Sequence, residues 1–136
     1  RNNRGHTPLH IAAAYKPDPA VIKALLNAGA DTHARNDGGE TPLHFAAYSN
    51  ADPAVIEAFL AAGADPNARD ADGCTPLHCA ARYSENPGVV LILLKLGADP
   101  KIKDYVGKTP WDYIQTNEAL KNTEAYRALK DAQYNK

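Results

Sequence analysis

The chain has 136 residues, of which 44% are hydrophobic and 23% are charged, a composition typical of one folded domain rather than of a disordered segment. Its formal net charge is -1, so it lacks an overall positive field that would attract nucleic acid or an anionic membrane. No run of about 18 apolar residues is present, and the first residues lack the apolar core of a signal peptide. We therefore expect a soluble protein with no membrane or nucleic-acid partner. The two cysteines fit either redox setting, so the compartment stays open, with the cytoplasm favoured.

Three sequence markers recur together at a constant step of 34 residues. Thr-Pro-Leu-His begins at positions 7, 41 and 75, and a degenerate copy, Thr-Pro-Trp-Asp, begins at 109. Gly-Ala-Asp begins at 29, 63 and 97, and Asp-Pro or Asn-Pro begins at 18, 52 and 86. A fixed period of this length indicates stacked units, none of which can bury its apolar face alone. We predict a single domain over 1–136, with repeats at about 1–36, 37–70 and 71–104 and a C-terminal capping repeat at 105–136.

Each unit contains the signals of two short helices. A threonine followed by proline, as at Thr7, predicts a helix start, because threonine caps the helix and proline fits its first turn. Asp18 before a proline predicts a second helix in the same way. A glycine then follows where a left-handed residue ends the helix, and another glycine precedes each Thr-Pro as part of a turn. The second helices carry an apolar stripe at spacing i, i+1, i+4 and i+5, which we expect to be buried: Val21, Ile22, Leu25 and Leu26; Val55, Ile56, Phe59 and Leu60; Val89, Val90, Leu93 and Leu94.

The two end units depart from this pattern in different ways. In the last unit, Trp111 and Asp112 replace the usual leucine and histidine, and a polar helix is predicted from about Thr123 to Tyr134. A polar outer face is typical of a terminal capping repeat. The first unit has no such adaptation, so we expect a further repeat or cap to precede Arg1 in a longer natural protein.

The motifs TPLHxAA, VIxxLLxxGAD and DxDGxTPLH closely resemble the ankyrin repeat, and the resemblance covers nearly the whole chain. The ankyrin unit usually has about 33 residues, and here one extra residue lies in the loop before Asp18, Asp52 or Asn86. The sequence pattern DPAVIxALLxAGADxNARD is most similar to that of bacterial ankyrin proteins. The resemblance implies an all-α solenoid of stacked helix–loop–helix units, joined by β-turn or hairpin loops. It also implies a non-enzymatic scaffold that binds a protein or peptide and needs no cofactor. We expect a monomer, with dimerisation through the Ile11 and Val21 edge as the alternative. An alternative is a C-terminal regulatory or spacer domain that acts on another domain of a longer chain.

The resemblance places the partner surface on the concave side, which is built from the turn tips and the exposed ends of the first helices. Tyr15, Tyr48 and Tyr83 recur near the same place in successive units, with Arg82 beside them. Tyrosine and arginine are enriched at binding hot spots, although these tyrosines could instead pack against the longer loop and only fill space. The candidate partner-binding residues are Arg4, His6, Tyr15, Asp37, Glu40, Tyr48, Ser49, Asp72, Cys74, Arg82, Tyr83, Tyr105 and Lys108.

Two further features concern the surface. Residues 41–74 carry one basic and five acidic side chains, whereas residues 75–108 carry five basic and three acidic ones. Such a dipolar groove could orient a partner, and the alternative is an ordinary solvated face. Leu91 stands where earlier units have Lys23 and Glu57, so we expect it on the outer side, where with Ile92 it could form a second contact.

Metal and catalytic chemistry have little support in the sequence. His10, His44 and His78 recur with the repeat motif, and the resemblance implies a structural role for them. Adjacent repeats lie roughly 10 Å apart, too far for these histidines to share a metal ion. Cys74 and His78 could form a thiol–base pair, but the sequence shows no third group to orient the base. We therefore predict no catalytic, metal or cofactor site.

Overall fold

The structure is a computed structural model that describes residues 4–15, 17–49 and 51–134. The outermost parts of the predicted domain, 1–3 and 135–136, lie outside the described residues. Across the three described ranges the chain forms eight α-helices and no β-strand, which confirms the all-α prediction. The helices are α1 (Pro8–Ala14), α2 (Pro19–Asn27), α3 (Pro42–Tyr48), α4 (Pro53–Ala61), α5 (Pro76–Tyr83), α6 (Pro87–Lys95), α7 (Pro110–Ile114) and α8 (Glu124–Tyr134).

The first helix of each pair begins at the Thr-Pro motif, as predicted. At α3, the N–H of His44 donates to Oγ1 of Thr41 at 3.5 Å. The N–H of Thr41 in turn donates to Nδ1 of His44 at 3.1 Å. This reciprocal arrangement satisfies two N–H groups that a helix start leaves without partners. The same capping box forms at Thr7 and Thr75.

The second helices begin and end at the residues that the sequence indicates. At α4, Oδ1 of Asp52 accepts a hydrogen bond from the N–H of Ala54 at 2.9 Å. Gly63 follows the helix with a φ of 95°, a conformation that glycine adopts without steric cost. The α2 and α6 helices have an equivalent aspartate or asparagine cap and a glycine with positive φ. The predicted boundaries of the second helices are therefore confirmed.

The helices are arranged in two rows. The first helices α1, α3, α5 and α7 pack side by side, and the second helices α2, α4, α6 and α8 form the other row. Small side chains such as Ala46 and Ala80 are fully buried in the first row, where they allow close approach of the helices. The apolar stripe of the second row is buried at Ile22, Val55, Ile56, Phe59, Val89, Val90 and Leu93. Burying one such side chain contributes about 1.5–3 kcal/mol, so the solenoid is held by stacking between pairs.

Turn tips at residues 36–40, 70–74 and 104–108 connect each helix pair to the next and bond to one another. The N–H of Asp70 donates to the carbonyl oxygen of Cys74 at 2.9 Å, which closes one tip as a hairpin. The N–H of Ala71 donates to the carbonyl oxygen of Gly38 in the preceding tip at 2.9 Å. The N–H of Tyr105 makes the same contact with Asp72 at 3.0 Å. The tips therefore form one continuous edge along the solenoid.

The outer surface differs from the prediction at α6. Leu91 and Ile92 are half-buried and pack against the core, so the expected exposed patch does not form there. The reason is chemical: the apolar side chains of Leu91 and Ile92 pack against the buried cluster, whereas a charged residue such as Glu57 at the same position stays in solvent. In the first pair, by contrast, Ile11 and Val21 are exposed, so the prediction that Val21 is buried in the apolar stripe was wrong. In the described residues, α2 packs on one second helix, α4, instead of between two. None of the helices formed by the described residues is long and apolar enough to cross a membrane.

Candidate functional site

The histidines of the first helices hold the turn tips in place. Nδ1 of His44 accepts from the N–H of Thr41, so Nε2 carries the hydrogen and donates to the carbonyl oxygen of Cys74 at 2.8 Å. His10 and His78 make the equivalent bond to the tip of the following unit, at 2.8 and 2.9 Å. Burial lowers the pKa of His44 and His78, which favours the neutral ring that these contacts require. These residues are therefore structural.

Each tip is shaped by one side-chain oxygen. Oδ1 of Asp70 accepts from the N–H groups of Asp72 and Cys74 at 2.8 and 3.0 Å. This is the turn-forming contact that aspartate and asparagine make readily. The second oxygen of Asp70 takes no part in the turn, and its side chain lines the concave surface. The equivalent residues, Asn36 and Asp104, shape their tips in the same way.

The tips and the first helices enclose a depression of about 350 Å³ on the concave side, which we call the central depression. It lies across three consecutive units and is open to solvent. Six of the predicted partner-binding residues line it: Glu40, Tyr48, Asp72, Cys74, Arg82 and Tyr83. Asp70, His78, Cys79 and Tyr113 complete the lining.

Aromatic side chains form one wall of the central depression. The rings of Tyr48 and Tyr83 meet edge to face with their centroids 5.9 Å apart. Tyr48 packs in turn on Phe45 at 5.5 Å. The guanidinium carbon of Arg82 lies 5.0 Å from the ring centre of Tyr83 and 5.3 Å from that of Tyr113. Tyr48 is half-buried and Tyr83 is 54% exposed, so this cluster packs internally and still presents aromatic surface to the solvent.

Tyrosine hydroxyls and carboxylates pair at the rim. Oη of Tyr48 donates to Oε2 of Glu40 at 3.4 Å, and Oη of Tyr113 donates to Oδ2 of Asp104. Burial and the adjacent carboxylates raise the pKa of both tyrosines. Burial acts to raise the pKa of Asp104, but the hydrogen bonds from Tyr113 and from two backbone N–H groups lower it overall. The carboxylate is therefore ionised and the hydroxyl protonated at neutral pH.

Cys74 and His78 do not form a thiol–base pair. Both ring nitrogens of His78 are engaged, one with Thr75 and the other with the carbonyl oxygen of Lys108. The thiol of Cys74 lies 3.8 Å from Oδ2 of Asp104. Burial and the nearby carboxylates raise the pKa of Cys74 to about 12, which disfavours the nucleophilic thiolate. Among the residues that the structure describes, no cluster of three or more histidine, cysteine or acidic side chains could hold a metal ion.

Other predicted residues lie beside the central depression. Arg4, His6 and Tyr15 line a neighbouring depression of about 370 Å³, which shares Glu40 and Tyr48 with the central one. Tyr15 is 76% exposed there. On the opposite side, the exposed ring of Tyr105 lines a third depression together with Cys74 and Arg82. Lys108 places Nζ 5.5 Å from the ring centre of Tyr113.

Two predicted residues make structural contacts instead of lining a depression. The N–H of Asp37 donates to the carbonyl oxygen of Arg4 at 2.9 Å, which joins two tips. Oγ of Ser49 donates to the carbonyl oxygen of Ala13 at 2.8 Å, which links α1 to α3. Their role in partner binding stays a prediction.

None of the other four lining residues was predicted from the sequence to bind a partner: His78 and Cys79 are buried first-helix residues, and Asp70 and Tyr113 are the two partly exposed residues that were missed. Both can be found by aligning the units at the 34-residue step. Tyr113 then stands with Ile11, Phe45 and Cys79, a first-helix position that varies in size and chemistry. Asp70 stands with Asn36 and Asp104 at the other tips. One side-chain oxygen of each residue forms the turn, so the other terminal group can be a charged carboxylate oxygen or a neutral amide nitrogen.

Comparison with known proteins agrees with this architecture. A search of curated proteins gave no match. A family model described as ankyrin repeats, in three copies, matches residues 9–104, which is more than two thirds of the chain. Ankyrin repeats are generally protein–protein interaction modules and are typically non-enzymatic. With its stacked helix pairs, bonded turn tips and structural histidines, the chain belongs to the ankyrin repeat family.

Proposed function

We propose that the chain is a non-enzymatic scaffold whose concave surface binds a protein or peptide partner, with the central depression as the main contact. The observation that carries this proposal is the convergence of Tyr48, Arg82 and Tyr83 with acidic tip residues around one open depression. Tyrosine and arginine at the centre of a concave surface are the residues that most often dominate binding energy.

The position of these residues in the fold supports the same conclusion. Most first-helix side chains are buried and are needed for stacking, as Leu77, Cys79 and Ala80 illustrate. Arg82 and Tyr83, at the end of α5, are exposed and are not needed to fill the core. A rigid row of helices thus presents a few adaptable side chains at fixed positions, which suits recognition of a protein surface.

Capture from a lysate of the source organism tests this proposal. The immobilised wild-type chain is compared with an Arg82→Ala/Tyr83→Ala variant, and the bound proteins are quantified by mass spectrometry. Because both side chains are exposed, the variant should keep its circular dichroism spectrum. We expect at least one captured protein to fall by about tenfold or more, the effect of losing a binding hot spot.

A matched control carries Lys23→Ala/Glu57→Ala, which removes two exposed side chains from the second helices. This control should capture the same proteins as the wild-type chain. If the Arg82→Ala/Tyr83→Ala variant also captures the same proteins in the same amounts, the concave surface is not the binding surface.

A further inference from the structure

We propose that the central depression receives a basic side chain, lysine or arginine, from the bound protein. This inference rests on the proposed function and adds the chemistry of the partner segment. The depression is at the small end of the range of about 300–1,000 Å³ for ligand pockets, so its size suits one inserted side chain rather than a folded element.

The lining of the central depression carries more negative than positive charge. Glu40, Asp70 and Asp72 supply three carboxylates, whereas Arg82 supplies the one permanent cation. In the part of the chain that the structure describes, none of these carboxylates has a lysine or arginine nitrogen within 4.0 Å, and the one ion pair formed lies before α8. A concave site with excess negative charge attracts a cation, because field lines are focused between walls of low dielectric constant.

Two of the three carboxylates, those of Asp70 and Glu40, are also held in fixed positions. Oδ1 of Asp70 accepts two backbone N–H groups, which orients the other oxygen. Oε1 of Glu40 accepts from Nδ2 of Asn36 at 3.1 Å, and Oε2 accepts from Tyr48. Groups that are already ordered lose less conformational freedom on binding. These two acidic side chains are therefore already ordered before a cation binds.

The walls suit the rest of a basic side chain. Arg82 places its guanidinium group over the rings of Tyr83 and Tyr113, which shows that the aromatic wall accommodates a cation–π contact. Tyr48 has only edge contacts with other rings and no cation over its face among the described residues. The floor includes Cys79, which is 7% exposed and forms no disulfide. An incoming methylene stem can pack on this surface while its charged end meets the carboxylates.

Peptides of matched composition test the inference. Four acetylated and amidated peptides, Ala-Ser-Xaa-Ser-Ala with arginine, lysine, norleucine or glutamate at Xaa, are titrated into the ¹⁵N-labelled chain, and amide shifts at residues 70–74 and 82–83 are followed by NMR. We expect the arginine and lysine peptides to shift these amides saturably. The norleucine peptide should bind at least about tenfold more weakly, and the glutamate peptide should not bind.

Charge-removing variants locate the site. Asp70→Asn keeps the turn, because Asn36 makes the same two bonds in its own tip. The Asp70→Asn/Asp72→Asn variant should bind the arginine peptide about tenfold more weakly. A control, Glu57→Gln, removes one exposed negative charge from α4 and should leave the affinity unchanged. Equal affinity for the norleucine peptide, or unchanged binding by the double variant, overturns the inference.

The outcome separates this inference from the proposed function. If the chain captures a partner through the concave surface but no basic peptide binds, the inference is wrong and the proposed function stands. If basic peptides bind and no partner depends on Arg82 and Tyr83, the pocket chemistry is supported and the proposed function is wrong.

Discussion

His44 links two units through the two nitrogens of one buried ring. Nδ1 accepts from the N–H of Thr41 at 3.1 Å, and Nε2 donates to the carbonyl oxygen of Cys74 at 2.8 Å. Both partners are backbone groups of structural turns. Without the ring, the N–H of Thr41 would lose its hydrogen bond, whereas the carbonyl oxygen of Cys74 would keep only the bond from the N–H of Asp70. A buried polar group without a partner is costly, because it has lost its water and gained nothing.

We predict that His44→Ala lowers the free energy of unfolding by about 1–3 kcal/mol, the usual cost of leaving buried hydrogen-bonding groups unsatisfied. Equilibrium urea unfolding followed by circular dichroism measures the change. His33→Ala is the matched control: this side chain is exposed, so the expected change is within about 0.5 kcal/mol. Equal effects of the two substitutions would contradict the structural role assigned to the motif histidine.

The position of Tyr83 illustrates what sequence alone could not give at the residue scale. In the 34-residue alignment, Tyr83 stands with the exposed Tyr15 and, in the other two units, with Ser49 and Asn117. The side chains of Ser49 and Asn117 donate to carbonyl oxygens of the preceding first helix, at 2.8 Å from Ala13 and 3.1 Å from Ala81. Tyrosine cannot make that short bridge and lies exposed at the rim instead. The motif predicted tyrosines near this surface, but only the neighbouring contacts decide which of them line the depression.

At the scale of the helix, the end of α4 shows how one glycine completes the element. The N–H of Gly63 donates to the carbonyl oxygen of Leu60 at 3.1 Å, and the N–H of Ala64 donates to that of Phe59 at 3.0 Å. These two bonds form a Schellman motif, which requires a left-handed residue between them. Gly63 supplies it with a φ of 95°.

Gly63→Ala should therefore destabilise the chain by about 1–2 kcal/mol, the cost of placing a Cβ atom in the left-handed region. A Cβ atom at this position would meet no heavy atom within 4 Å, so the cost is conformational and not a clash. Gly63→Asn should lose less than half as much, because asparagine tolerates this conformation. Thermal and urea unfolding of the two variants provide the measurement. An equal loss of stability in both would contradict the prediction that the left-handed conformation of residue 63 sets the cost.

The helices themselves were largely predictable, because their caps, prolines and apolar spacing are local signals. The exposure of Leu91 was not, since it depends on packing between elements. Its counterparts Lys23 and Glu57 are exposed, although α4 lies between two helices just as α6 does. Leu91 is half-buried because its apolar side chain packs against the core residues around it. Local patterns thus predict where a helix begins and ends, whereas the contacts of its flank are settled by the neighbouring units.

At the scale of the whole molecule, the structural histidines join consecutive units into one cooperative array. Each ring crosses from a first helix to the tip of the next unit, and the tips are bonded to one another. A change in the protonation of these rings therefore acts on the interfaces that hold the solenoid together rather than on one isolated helix. For this reason we expect the stability of the whole chain to depend on pH.

The direction of this dependence follows from the lowered pKa of His44 and His78, for which burial is the largest cause. Below the ordinary value of 6.5, the unfolded chain binds protons that the folded rings resist, so stability is complete above that pH and falls as the pH drops through it. Each histidine contributes a slope of up to about 1.4 kcal/mol per pH unit.

Urea unfolding between pH 8 and pH 5 should show this fall in stability. The range ends at about pH 5 because ordinary carboxyl groups titrate below it. A His44→Gln/His78→Gln variant should be less stable at pH 8 but should have a flatter profile, whereas the exposed control His33→Gln should keep the wild-type slope. An unchanged slope in the double variant would assign the pH dependence to groups other than the buried histidines.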